Sequence, residues 1–317
     1  MQKYIIRRLA LMIPTLVGLS MIVFLMVRIV PGDVVSLIAG DFGAVSPETK
    51  QALLKEFGLA DNIPVQYWNW SRQMLTGDLG TSIISGRSVT NELSSRLPVT
   101  FELGILAIIV SSIVAVPIGV ISAIRQNSVA DYAGRSVAIG FLAAPNFWIA
   151  IMLITFASKF FKWGVPSTTY PDLFDNPVAN LKFMAVPAML LGLGLSGSVM
   201  RYTRSAVLEV MRQDYVRTAH AKGLAERVVV TRHVLRNALV PVITVIGLQL
   251  PVVIGGTVII ESIYSIPGMG RYYISSINQL DFPVIQAINL VVATFTVFSI
   301  LAVDLLYSVL NPRIRYS

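Results

Sequence analysis

Six long apolar stretches recur along the chain, near residues 9–30, 101–124, 136–158, 183–200, 237–260 and 283–306, and the segments between them carry most of the charge. Each is close to the roughly 20 helical residues that cross a hydrocarbon layer about 30 Å thick. A backbone inside lipid must satisfy its own N–H and C=O groups, so the pattern predicts an all-α integral membrane protein with six transmembrane helices. Pro117, Pro145, Pro187, Pro241 and Pro251 fall within these stretches and are expected to kink or interrupt several helices. The first stretch follows Lys3, Arg7 and Arg8 as a signal peptide would. It is longer than a signal-peptide core and lacks a small-residue cleavage site, so it reads as an uncleaved span.

Charge then orients the bundle. An even number of spans places both termini on one side, where segments 1–8, 125–135, 201–236 and 307–317 hold 15 Lys/Arg against 4 Asp/Glu; the opposite segments hold 9 against 11. That asymmetry predicts cytoplasmic termini and a cytoplasmic 201–236 loop. It also accounts for the net charge of +8 without any nucleic acid. The absence of cysteine excludes disulfide, thiolate and cysteine-metal chemistry. His220 and His233 both lie in the charged loop, there is no His-Glu-x-x-His, and no acidic pair falls inside a span, which argues against an intramembrane enzyme.

Arg28, Glu102 and Asp304 sit near span ends and not at the midplane, and no internal repeat is evident. Both features speak against an ion-coupled secondary transporter, the alternative from a different class. A passive channel would leave the long charged loop without a purpose. Asp304 is expected to pair with a nearby basic residue or to reach the interface.

Residues 31–98 read as a small extracytoplasmic cap, with helical periodicity near Glu48–Phe57 and turn signals at Gly77-Asp78 and Gly86. Its aromatics Tyr67, Trp68 and Trp70 suit either an interfacial belt with packing under the cap or contact with a docked partner. Inside the spans, Asn146, Gln249, Gln286 and Asn289 are polar groups that must avoid lipid. They read as interhelical hydrogen bonds or as lining of a translocation path. Gly192, Gly194, Ser196, Gly197, Ser198 and the pair Gly255-Gly256 suit close helix packing. Glu261 and Arg271 sit at the outer mouth, where they form a surface ion pair, a gate or a contact for a binding protein.

The loop itself contains a short helix, Tyr215–Lys222, with Asp214 as its cap, Lys222 in its last turn and Gly223 as its left-handed stop. Tyr215 and Ala219 share a face, Thr218 and Ala221 flank it with small side chains, and Arg217 and Lys222 offer charge for orientation. Taken alone, such a helix suits either docking into a protein cleft or lying on lipid headgroups.

The run Asp214-Tyr215-Val216-Arg217-Thr218-Ala219-x-Ala221-Lys222-Gly223-Leu224, followed by His233-x-Leu235-Arg236-Asn237-Ala238-Leu239-x-Pro241, resembles the EAA loop of the permease subunits of dipeptide, oligopeptide and nickel ABC importers. Pro31-Gly32-Asp33, Gly77-Asp78-Leu79-Gly80, Glu261 with Ile266-Pro267-Gly268-Met269-Gly270, Asp281-Phe282-Pro283-Val284-Ile285-Gln286 and Asn311-Pro312-Arg313-Ile314-Arg315-Tyr316 are similar to that family as well. Arg217 and Thr218 stand where the general pattern has a glutamate and an alanine, as in the peptide-importer subgroup.

The resemblance implies a type I importer permease in the bacterial inner membrane. Residues 1–98 would hold the first helix and cap, 97–308 the permease core, and 309–317 a cytoplasmic tail. It implies a second homologous permease in a heterodimer, two cytoplasmic ATPases, one of which takes the 214–224 helix in a groove, and an extracytoplasmic solute-binding protein. No Walker A loop occurs in this chain, so ATP and magnesium would be bound by the partner ATPases and this subunit would be non-catalytic. Short peptides are the expected cargo, with nickel chelates or glutathione as alternatives within the same class.

Overall fold

The computed structural model describes residues 2–29, 61–161 and 169–310. In chain order the helices are α1 (Gln2–Ile29), α2 (Ile63–Leu75), α3 (Val89–Ile124), α4 (Val129–Ala143), α5 (Asn146–Phe161), α6 (Pro177–Met211) and α7 (Asp214–Ala221). A helical turn, Glu226–Val228, and a π-helix, Val229–Val234, lead into α8 (Leu235–Gly247), α9 (Gln249–Ile263), α10 (Met269–Asn278) and α11 (Phe282–Leu310). The stretches Ile5–Arg28, Val89–Ile124, Pro177–Met211, Glu226–Gly247 and Phe282–Tyr307 are each long and apolar enough to cross a bilayer.

Two of the expected spans are not straight rods. The 136–158 stretch is divided between α4 and α5, which meet at 90° and cross only as a bent pair. Ala144 takes the extended conformation (φ −90, ψ 125) that a residue preceding proline favours, so the helix must stop at Pro145. The 237–260 stretch divides at Leu248 into α8 and α9. Pro251 lacks the N–H that would pair with the carbonyl four residues back, at Gly247. Pro117, Pro187 and Pro241, by contrast, stay inside continuous helices. The supposed loop 201–236 is also corrected: α6 continues to Met211 and helix resumes at Glu226.

Side-chain caps start the long helices. Ser88 accepts from the Asn91 amide, Ser128 from that of Asp131, and Asn176 from that of Ala179 with Pro177 in the first turn. Helices α3 and α6 pack along one another as the central pair. Leu103, Ala107, Met184, Ala188 and Leu191 form its dry core, joined by Ala150 of α5 and Ile260 of α9. Approach is so close that a Cβ at Gly192 would stand 2.6 Å from the Ala107 carbonyl oxygen, and one at Gly197 2.5 Å from that of Ala138. Small residues here let backbones touch where lipid offers no hydrophobic drive. Gly255 and Gly256 do not share this role, since a Cβ at either would meet nothing within 4 Å.

Helix α2 rests on α1. Tyr67 and Trp70 pack their rings on Phe24 at 5.3 and 5.6 Å between centroids. The Arg28 guanidinium stands 3.5 Å over the same ring and donates from Nε and Nη2 to Gln66 Oε1. Packing against α1 therefore engages Tyr67 and Trp70, while Trp68 stays exposed. At the turn that follows, Asp78 accepts from the Gln73 side chain and the Gly80 amide, and both bonds hold its carboxyl below the usual range. The helix expected near Glu48–Phe57, Pro31-Gly32-Asp33 and the Asn311–Tyr316 ending lie outside the described residues.

Candidate functional site: the α7 helix and its seat

After Met211, Arg212 and Gln213 turn the chain, and Gln213, extended at φ −74 and ψ 147, is the N-cap of α7. Asp214 is thus the first helical residue and makes no capping bond, contrary to the sequence reading. Its charge still stands at the positive helix end. It also meets Arg217 Nη1 at 3.2 Å, an exposed pair of little energetic weight that leaves Arg217 available to another partner. The helix ends one residue earlier than expected, with Lys222 as C-cap and Gly223 at φ +76. Gly223 N–H donates to the His220 carbonyl and Leu224 N–H to the Ala219 carbonyl, the paired closure of a Schellman motif.

The helix has two distinct faces. Val216 and Ala219 are buried against Val207 of α6, Ala123 of α3, Val229 and Val234 of the π-helix and Ala238 of α8. Tyr215, Arg217, Thr218, Ala221, Lys222, Gly223 and Leu224 are exposed, with the Tyr215 hydroxyl reaching back to α8. Ala219 therefore seats the helix on its own chain and does not front the outward face on which Tyr215 and Thr218 lie. Side bonds fix the seat: Asn237 Nδ2 donates to the Tyr215 hydroxyl at 3.0 Å, and His220 spans from the Val216 carbonyl to Glu226 Oε2. An eight-residue helix does not hold itself together in water. This one exists because its apolar side is clamped by four other elements, and so it is presented as a rigid knob.

Near the same end of the bundle lies a carboxylate that sequence reading passed over. Asp131 of α4 is fully buried and receives Arg204 of α6 as a fork, Nε to Oδ1 at 2.8 Å and Nη2 to Oδ2 at 2.7 Å. Ser122 of α3 and the Asn127 amide complete its shell. The available signal was Ser128 three residues before Asp131, a capping signature.

The opposite end is held by Glu261, also fully buried. It accepts from the Thr100 hydroxyl at 2.8 Å and from the Arg271 amide at 3.0 Å, while the Arg271 guanidinium turns instead to the Ser265 carbonyl. The expected surface ion pair between Glu261 and Arg271 is therefore replaced by a buried carboxyl wrapped in backbone. A Cβ at Gly268 would collide with that carboxyl at 2.4 Å, which explains glycine there. Asp281 similarly receives Ser82 and the Ile83 amide, fastening the segment that precedes α3 to the α10–α11 turn.

The four polar residues within the spans all bond or pack between helices. Gln249 Nε2 reaches the Leu195 carbonyl and Ser198 of α6; Gln286 Nε2 reaches the Phe24 carbonyl of α1; Asn289 exchanges bonds with Tyr273 of α10. The Asn146 amide fills the space over Gly194. These contacts follow the interhelical reading. Asp304 pairs with Arg8 at 3.0 Å, the local basic partner expected for it.

A family profile described as the binding-protein-dependent transport system inner membrane component matches residues 115–316, and its N-terminal companion matches residues 1–104. The chain belongs to this family. The dipeptide transport system permease protein DppB of Escherichia coli K12 is 38% identical over 338 residues, covering 100% of this chain and 99% of its own. The oligopeptide transport system permease protein AppB of Bacillus subtilis is 38% identical over 322 residues, with 100% of both chains covered. Among solved structures, an amino acid ABC transporter with histidines superposes with a TM-score of 0.51 at 15% identity, over 71% of this chain and 95% of that one. That likeness shows the fold. The permease is accordingly a multi-pass inner membrane subunit of an ABC importer with type I architecture, and α7 lies in the stretch matched by the main profile.

Proposed function

We propose that this permease imports short peptides, with α7 seated in a groove of a cytoplasmic ATPase and the α10 end facing an extracytoplasmic solute-binding protein. Full-length similarity to dipeptide and oligopeptide permeases supports the cargo class. The observation that carries the coupling role is the rigid presentation of Tyr215, Arg217, Thr218, Ala221 and Lys222 on a helix whose other face is locked into its own bundle. The basic bias of the α7 side supports its cytoplasmic orientation.

In this reading ATP and magnesium are bound on the ATPases and this chain catalyses no reaction. ATP closes the two ATPases, α7 moves with its groove, and the permease pair rocks a central path from inward to outward access. Nucleotide drives the shift because it binds the two conformations with different affinity. A second permease completes the path in a heterodimer.

The test is uptake of a labelled dipeptide into proteoliposomes holding the full complex and its binding protein. Uptake should require ATP on the α7 side and be competed by other short peptides. Transport that survives ATP depletion and stops when an ion gradient is collapsed would overturn the ATP-driven reading. Capture of nickel chelates or glutathione, and not of peptides, by the cognate binding protein would overturn the cargo.

A further inference from the structure

Three helices converge on one carboxylate at the end of the bundle that carries α7. Asp131 in the first turn of α4 takes the Arg204 fork from α6, the Ser122 hydroxyl from α3 and the Asn127 amide from the α3–α4 turn, where Asn127 itself adopts φ +61. Val207, one helical turn beyond Arg204, and Ala123, next to Ser122, both belong to the apolar seat of α7. At about 1.5 Å rise per residue, the α7 contact on α6 lies only ~5 Å along the helix from the fork. A push on α7 therefore enters α6 and α3 beside the carboxylate.

A buried ion pair is a poor device for raw stability, because desolvation offsets its attraction. Its distinguishing property is direction. A planar guanidinium with two parallel bonds to one carboxylate resists both sliding and rotation of α6 against α4, whereas an apolar contact of equal size permits both. Resistance matters at this position because α4 continues, through the 90° break at Pro145, into α5.

We propose that Asp131 and Arg204 are positioning residues for transport, making α3, α4 and α6 follow α7 as one body so that nucleotide-driven motion reaches the bent pair α4–α5. The inference rests on the docking reading of α7. Neither residue fronts the ATPase, so their loss should separate hydrolysis from transport while the complex remains assembled.

The assembled complex in nanodiscs is compared for the wild type, Asp131→Asn and Arg204→Lys, measuring ATP hydrolysis with and without peptide-loaded binding protein, peptide uptake and ATPase copurification. Asp131→Asn should keep copurification and basal hydrolysis, while the ratio of stimulated to basal rate falls roughly 2- to 30-fold, the range typical of residues along a coupling network. Arg204→Lys, which keeps the charge and loses the fork, should fall less. Because the chain has no cysteine, spin labels can be placed uniquely at exposed Val129 of α4 and Ser205 of α6. Their separation should be the same with and without nucleotide in the otherwise unaltered complex, and should change with nucleotide in Asp131→Asn.

A wild-type stimulation ratio in Asp131→Asn overturns the proposal, as does an equal loss of basal and stimulated hydrolysis. If Asp131→Asn does not assemble, Arg204→Lys and the label distance decide. A label distance that changes with nucleotide in the unaltered complex overturns it without any variant. Failure of the docking reading is distinct: substitutions on the exposed face of α7 would then leave ATPase copurification intact.

Discussion

Thr100 offers a clean measurement of what holds the α10 end together. Its side chain is 1% exposed, its hydroxyl donates to Glu261 Oε1 at 2.8 Å, and it accepts the Met269 amide at 2.8 Å. Thr100→Val preserves shape and leaves no cavity, so only the hydroxyl is lost. A hydrogen bond to a carboxyl group that can carry charge is worth about 1.5–3 kcal/mol, and leaving the buried Met269 N–H unpaired costs about 1–3 kcal/mol more. The expected local destabilisation is therefore about 3–5 kcal/mol. Thr100→Ser keeps both bonds and removes one methyl, for about 1 kcal/mol.

Hydrogen exchange reports local opening directly, which suits a membrane complex that does not unfold in one step. Amides of the Ile266–Ile274 segment should exchange between roughly a hundredfold and a few thousandfold faster in Thr100→Val than in the wild type, since about 1.4 kcal/mol is tenfold. Thr100→Ser should stay within about tenfold of the wild type. Equal exchange in the Val and Ser variants would refute the claim that the hydroxyl links α3, Glu261 and α10.

Other substitutions probe separate parts of the argument. Gly192→Ala should force α3 and α6 apart at the Ala107 carbonyl and lower thermal stability by about 1–3 kcal/mol, whereas Gly255→Ala, facing open space, should not. Gly223→Ala meets no atom but must hold a left-handed φ, costing about 1–2 kcal/mol; faster exchange confined to the end of α7 and weaker ATPase copurification are the expected readouts. Burial, and then the neighbouring Glu102 carboxylate, push the Tyr170 phenol above its ordinary pKa, so the fold favours the neutral phenol. Its contribution is complete below the unfolded phenol's pKa of ~10 and lost as pH rises towards the folded value. Tyr170→Phe should accordingly flatten the alkaline limb of the stability profile, measured by thermal unfolding.

Much of the protein was legible along the chain because the bilayer leaves so few options. Hydrocarbon thickness sets the length of each apolar stretch, and the need to pair every backbone group makes each one helical. Gly223 announced the end of α7 because only a residue without Cβ enters the left-handed region freely. That Asp304, a charge near a span end, would take a basic partner also followed, although the packing of α1 on α11 is what made that partner Arg8.

Only the tertiary structure decided which side chains face which. Periodicity placed Tyr215 and Ala219 on one strip of α7, yet packing buries Ala219 and leaves Tyr215 outside, a choice made by α6, α8 and the π-helix. Glu261 and Arg271 looked like a surface pair because their charges are opposite and near in sequence. The loop between them folds back so that amides reach the carboxylate first. Asp131 and Arg204 lie on α4 and α6 with the whole of α5 between them, and nothing local to either names the other. Hydrogen bonds across a bundle depend on helix rotation and close approach, and these are fixed by the sum of all interhelical contacts.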